Sequence, residues 1–167
     1  STKIQDGFWV NSYNSALQII PNQKVEVYHK GKLVPGVEIF PYIRFLKPLL
    51  GDAMLNFGGT TSSLGIDEER KVFSNAYNKA KVAPIICYES IYGEFVTDYV
   101  KNGANLLAIM TNDSWWDNSE GHKQLLSYAR LRAIETRREI VRAANSGISA
   151  RINARGDIVE DTFYDDR

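Results

Sequence analysis

With one cysteine in 167 residues, the chain can form no internal disulfide, and cysteine pairing says nothing about redox compartment. Histidine is nearly as scarce. His29 and His122 lie far apart, and neither the C-x-x-C nor the His-rich spacing of a zinc site occurs, so no metal or cofactor is expected. Neither sign of charge is in excess. Lys plus Arg and Asp plus Glu both number 20, and a formal net charge of +0 speaks against a nucleic-acid binder, which carries a basic surplus. No apolar run approaches the ~20 residues that cross a bilayer. No signal peptide, internal repeat or low-complexity tract is visible. What remains is ordinary: 44% apolar and 24% charged residues, enough to bury a core in one domain. As it stands, the chain reads as a soluble globular piece.

Residues 13–20 read as a strand, Pro21-Asn22-Gln23 as a turn, and residues 24–28, with period-two alternation, as the second strand of a hairpin. Gly31, Pro35, Gly36 and Pro41 punctuate a loop over 29–41. A short helix is expected over 43–50, a long exposed loop over 51–69, and a turn or short strand over 77–80. Residues 82–86 form a buried strand that ends at Cys87. Helical spacing follows over 89–102 and stops at Gly103. Residues 105–110 read as a second buried strand, and 111–119 as a polar loop.

The longest helical pattern covers 120–144, with Leu125, Leu126, Ala129, Ala133, Ile134 and Val141 as its apolar stripe. Its Arg130, Arg132, Arg137, Arg138 and Arg142 read as a solvated flank paired with Glu135 and Glu139. Residues 148–153 and 157–161 close the chain as a hairpin around Ala154-Arg155-Gly156. Strands alternating with helices indicate an α/β layered domain. Catalytic groups of such sheets gather at strand ends, where Cys87 and Asn112-Asp113 sit.

Cys87 closes a strand just before a helix, where free N–H groups and the helix dipole favour a thiolate and could hold an oxyanion. Position alone leaves two equal alternatives, a nucleophile and a buried apolar thiol. Lys30 and Glu38 share one loop. Both are solvated surface groups unless a site requires a cation and a carboxylate, and a cysteine nucleophile does. Glu89 reads as an N-terminal helix cap worth about 0.3–1 kcal/mol, or as support for the site. Adjacent Trp115 and Trp116 in a polar loop suggest a binding surface, although one of them can simply cover core.

These residues add up to a resemblance. Tyr28-His29-Lys30-Gly31-Lys32-Leu33-Val34-Pro35-Gly36-Val37-Glu38-Ile39-Phe40-Pro41 resembles the Y-x-K-x-x-L-V-P-F-G-E-x-x-P segment of apolipoprotein N-acyltransferases. Ile86-Cys87-Tyr88-Glu89 resembles their nucleophile segment, and Thr111-Asn112-Asp113-Ser114-Trp115-Trp116 their N-D-x-W-F loop. The stretch from Ala129 to Ala150 is similar to the helix and strand that follow. Four such matches in order, over roughly residues 13–160, are specific although each alone is weak. One departure is Gly36-Val37 in place of the family's F-G.

The resemblance implies a partial nitrilase-like α-β-β-α sandwich of the carbon–nitrogen hydrolase superfamily, with a Glu–Lys–Cys triad. Cys87 is then the nucleophile, Lys30 the oxyanion-stabilising lysine and Glu38 the second, supporting glutamate. Tyr88 and Glu89 support the nucleophile, and Trp115, Trp116 and Asn112 contact substrate. The implied partners are a phospholipid acyl donor and the N-terminal amine of a lipoprotein, at the periplasmic side of a bacterial inner membrane. The family's general-base glutamate precedes its lysine. Asp6 and Glu26, the only acidic residues before Lys30, do not match it.

Residues 1–167 are therefore expected to be the C-terminal part of the domain, with its first part and membrane segments outside the chain. An apolar face, and with it self-association, is expected where further strands would pack. An acyl-transfer assay on the 167-residue chain alone should show no turnover, because a triad without its base loses most of its rate. Measurable turnover would overturn the missing base. Two alternatives stand beside this reading. A soluble nitrilase-like amidase would use water as acceptor. A non-catalytic binding domain would leave Cys87 inert to thiol reagents.

Overall fold

The computed structural model describes residues 2–3, 9–10, 12–35, 38, 64–74, 77–116 and 120–162, with backbone only at 2–3, 9–10 and 115–116. The expected helix over 43–50 and most of the 51–69 loop lie outside these residues. Two short strands, β1 (Thr2–Lys3) and β2 (Trp9–Val10), pair antiparallel. Next comes the expected hairpin, β3 (Ser15–Gln18) and β4 (Glu26–His29), in register from Ser15–His29 to Gln18–Glu26. Asn22 at φ 60° makes its turn, a backbone state that asparagine tolerates better than most residues.

The main sheet has six strands. They are β5 (Phe73–Ser74), β6 (Lys81–Ile86), β7 (Leu106–Thr111), β8 (Glu139–Ala144), β9 (Ala150–Ile152) and β10 (Ile158–Asp161). Their order is β10-β9-β8-β7-β6-β5, with β6, β7 and β8 parallel and the outer pairings antiparallel. Helix α1 (Gly93–Lys101) connects β6 to β7, and α2 (Glu120–Thr136) connects β7 to β8.

Period-two alternation and the parallel register put Ala83, Ile85, Leu107, Ile109 and Ile140 on one face. All are buried in one core with Phe95, Val96 and Tyr99 of α1 and Leu126, Ala129 and Ala133 of α2. The opposite face is less covered: Met110 and Val141 are 37% and 47% exposed.

Three expectations are corrected. Residues 89–102 are not one helix. A 3-10 turn, Cys87–Ile91, is separated from α1 by the extended Tyr92. The α1 end at Gly103 is as expected: its φ is 97°, Gly103 N–H donates to Val100 O and Ala104 N–H to Tyr99 O, a Schellman closure.

Second, the helical reading of 120–144 runs too far. The helix stops at Thr136, because Arg137 takes a left-handed φ of 54° and the chain then enters β8. Val141 therefore lies on a strand and not on the helix stripe, and Ile134 is 43% exposed.

Third, Arg142 is not on a solvated flank. It is 2% exposed on β8, and Arg132 on α2 is 4% exposed, although Arg132 keeps its pair with Glu135 at 3.2 Å.

Candidate active site

Three strand ends meet at one cavity of about 860 Å³: Lys30 after β4, Cys87 after β6, and Met110 to Asn112 at the end of β7. Its apolar walls come from Val34, Pro35, Ile86, Met110 and Leu125. Cys87, half-buried, opens the 3-10 turn with φ 49°. A non-glycine residue held left-handed is strained, and such strain persists only where the surroundings enforce it. The tight turn puts the side chain at the cavity wall. It also leaves the first N–H groups of the turn without helical acceptors.

Lys30 is almost fully buried, 1% exposed, and its ammonium donates to Glu38 Oε2 at 2.8 Å. Glu38 is the hub of its loop. Oε2 also accepts the Val34 N–H at 2.8 Å, and Oε1 accepts Asn14 Nδ2 at 3.0 Å. The Glu38 N–H donates back to Val34 O at 2.9 Å. Burial pushes the Glu38 carboxyl upward, but the hydrogen bonds from Lys30, Val34 and Asn14 outweigh it and hold it below its ordinary value.

Folding therefore favours the ionised form of Glu38. Its contribution to stability is fully present above the ordinary glutamate value of about 4.3 and is lost as pH falls through the lower folded value. Acid titration should lower the urea midpoint in that window, and Glu38→Gln should flatten this part of the profile. An unchanged profile in the variant would remove Glu38 as the source.

Glu89 is fully buried and accepts four donors. Oε2 takes the Ile86 N–H at 2.7 Å. Oε1 takes the Tyr28 hydroxyl at 2.7 Å, the Gly31 N–H at 2.6 Å and the Lys32 N–H at 3.3 Å. One side chain thus ties the strand end before Cys87 to the residues on both sides of Lys30. Burial raises its carboxyl above the ordinary value, opposed by those same hydrogen bonds. The sequence reading offered capping or support for the site; the carboxylate accepts the Ile86 N–H ahead of the turn and also reaches the Gly31 and Lys32 N–H groups. That reading missed Tyr28, which is fully buried on β4 and whose hydroxyl is pushed up by burial and by the Glu89 charge.

Tyr88 and Asn112 both line the cavity. Asn112 Oδ1 accepts the Ser114 N–H at 3.2 Å, the Ser114 hydroxyl at 2.7 Å and Asn145 Nδ2 at 3.4 Å. The backbone of Trp115 and Trp116 belongs to a 3-10 turn, Asp113–Trp116, and their side chains lie outside the described residues. The cavity thus brings together Cys87, Lys30, Glu38, Tyr88 and Asn112. Sequence reasoning placed Asn112-Asp113 at a strand end but missed that Asp113 is fully buried and paired with Arg142. Nothing local distinguishes Arg142 from its arginine neighbours. Among the described residues no cluster of His, Cys, Asp and Glu could hold a metal ion, and no helix is long and apolar enough to cross a membrane.

The sequence pattern of the carbon–nitrogen hydrolase family matches residues 5–163. Apolipoprotein N-acyltransferase of Chlorobaculum tepidum is 35% identical over 141 residues, covering 83% of this chain and 26% of the relative. Apolipoprotein N-acyltransferase 1 of Treponema pallidum is 34% identical over 168 residues, covering 95% of this chain and 29% of the relative. The chain thus spans between a quarter and a third of the length of these curated relatives. Among solved structures, a CN-hydrolase superfamily protein of Xanthomonas campestris superposes with a TM-score of 0.64 at 17% identity, over 90% of this chain and 52% of that one. At that identity the likeness is one of fold.

Proposed function

Because the chain belongs to the carbon–nitrogen hydrolase family, we propose that it carries the acyl-transfer centre of an apolipoprotein N-acyltransferase. In this reading a fatty acyl group passes from a phospholipid to the N-terminal amine of a lipoprotein. The observation that carries it is one cavity joining a cysteine on a strained strand-end turn to a buried lysine–glutamate pair. The acyltransferase relatives and the apolar cavity walls favour a lipid acyl donor over a small amide.

The chemistry runs in two steps. The Cys87 thiolate attacks the ester carbonyl of the donor. The carbonyl oxygen gains negative charge, and the Lys30 ammonium, with N–H groups of the 3-10 turn, stabilises it. The C–O bond then breaks, the alcohol leaves with a proton, and a thioester remains on Cys87. In the second step the acceptor amine attacks the thioester, loses a proton and forms the amide, and the thiol is released.

Lys30 can serve because Glu38 fixes it from one side and leaves further N–H donors of the ammonium for substrate. Glu38 acts through Lys30. Its two oxygens already accept three hydrogen bonds, which makes it a poor proton acceptor for the thiol. That proton goes to the glutamate which this family places ahead of its lysine. The site operates at the periplasmic side of a bacterial inner membrane, where both substrates reside.

The test is direct. The full-length polypeptide carrying this sequence, incubated with a diacyl phospholipid, should gain one acyl mass on the peptide containing Cys87. Neutral hydroxylamine should remove it. Added lipoprotein amine should discharge it to amide. Turnover with no acyl group on Cys87 would overturn the reading.

A further inference from the structure

The loop between β7 and α2 rests on a buried charge pair that the two chemical steps do not use. Asp113 is fully buried and Arg142 is 2% exposed. Arg142 Nη2 donates to Asp113 Oδ2 at 2.5 Å, and Nη1 donates to Ile148 O. The other carboxylate oxygen, Oδ1, accepts the Thr111 hydroxyl at 2.6 Å. Gly147 closes the arrangement, since a Cβ there would come within 2.5 Å of Asp113 Oδ2.

The pair therefore grips three segments: the end of β7 through Thr111, the loop start through Asp113, and the 146–149 turn through Ile148. Thr111 and Asn112, between the gripped points, line the cavity that holds Cys87. Asn112 commits its carbonyl oxygen to Ser114 and Asn145, and among the described residues no acceptor takes its N–H2. Register adds to the case. Arg142 pairs with Ile109 across β7 and β8, on the face otherwise filled by Leu107, Ile140 and the helices. Two charges there are dearer than an apolar pair of equal size, so stability alone does not account for them.

We infer that Asp113 and Arg142 are positioning residues that hold the Thr111–Asn112 wall in place, and with it the substrate carbonyl before Cys87. The inference rests on the proposed acyl transfer for its consequence, but the clamp itself can be read without turnover. Arg142→Lys keeps the charge and loses the two-pronged grip. Asp113→Leu with Arg142→Met removes both charges at similar volume.

In the full-length polypeptide, both variants should bind one equivalent of iodoacetamide at Cys87 at near the unaltered rate. Amide hydrogen exchange over residues 111–115 and 145–149 should accelerate at least tenfold. Acyl transfer should fall at least tenfold in kcat/KM, even where the paired replacement restores the unfolding midpoint. A role in stability alone would return transfer together with the midpoint. Unchanged exchange in folded Arg142→Lys would overturn the clamp. Absence of a Cys87 thioester in the unaltered protein would overturn the acyl-transfer reading instead, and the exchange result would still decide the clamp.

Discussion

Replacing Cys87 with alanine should lower acyl transfer by about a thousandfold or more, to the level left by binding and oxyanion stabilisation alone. The reason is the loss of the covalent route. Without the thiol, the amine must attack an ester directly, with no thioester to divide the barrier. The backbone makes this variant easy to interpret. Cys87 sits at φ 49°, and alanine pays much the same left-handed cost as cysteine, so the fold should be retained. Glycine would relieve that strain and confuse stability with chemistry. Cys87→Ser is the sharper companion, since it keeps the shape but replaces a thiol with a hydroxyl, a far weaker nucleophile. Both variants should keep the unfolding midpoint and lose the hydroxylamine-sensitive acyl adduct. A folded Cys87→Ala protein that transfers acyl groups within tenfold of the unaltered rate would exclude Cys87 as nucleophile.

How far the sequence led depends on the range of the interaction that fixes each feature. The β3–β4 hairpin was legible because period-two alternation, Pro21 and Asn22 are all local. The β6 strand and its terminal cysteine were legible for the same reason. The extent of α2 was not. Glu139-Ile140-Val141-Arg142 can be aligned with a helical stripe as well as with a strand. The signal that stops the helix is the left-handed Arg137, which is neither glycine nor proline. The parallel pairing with β7 decides the matter, and pairing is non-local. Lys30 and Glu38 could be matched by type and spacing, but their contact with each other and the shared cavity with Cys87 emerge only on folding. Arg142 was the largest misreading. On a helix it would be one of five surface arginines, while on β8 it is a buried partner of Asp113.

Glu89 shows the same limit, and it carries the largest expected effect on stability. A capping residue at a helix start is worth about 0.3–1 kcal/mol. Here the carboxylate instead satisfies four donors, among them N–H groups 57 and 58 residues away in sequence. Glu89→Leu takes the acceptor from the buried Ile86 N–H and Tyr28 hydroxyl and from the part-buried Gly31 and Lys32 N–H groups, of which Gly31 keeps the Tyr28 oxygen at 3.2 Å. An unsatisfied buried group costs about 1–3 kcal/mol, so the two buried ones alone come to at least about 2 kcal/mol. Against the roughly 5–15 kcal/mol of a whole domain, that is a large share of the margin. Glu89→Gln should lose less. Its remaining oxygen can face the three donors at Oε1, while its new N–H2 opposes the Ile86 N–H. Urea unfolding should therefore rank the midpoints as unaltered, then Gln, then Leu. Because Ile86 precedes Cys87 and Gly31 follows Lys30, the Gln variant should also slow alkylation of Cys87 while still folded. A Leu variant as stable as the unaltered protein would mean that the four donors find other acceptors and that Glu89 is only a cap.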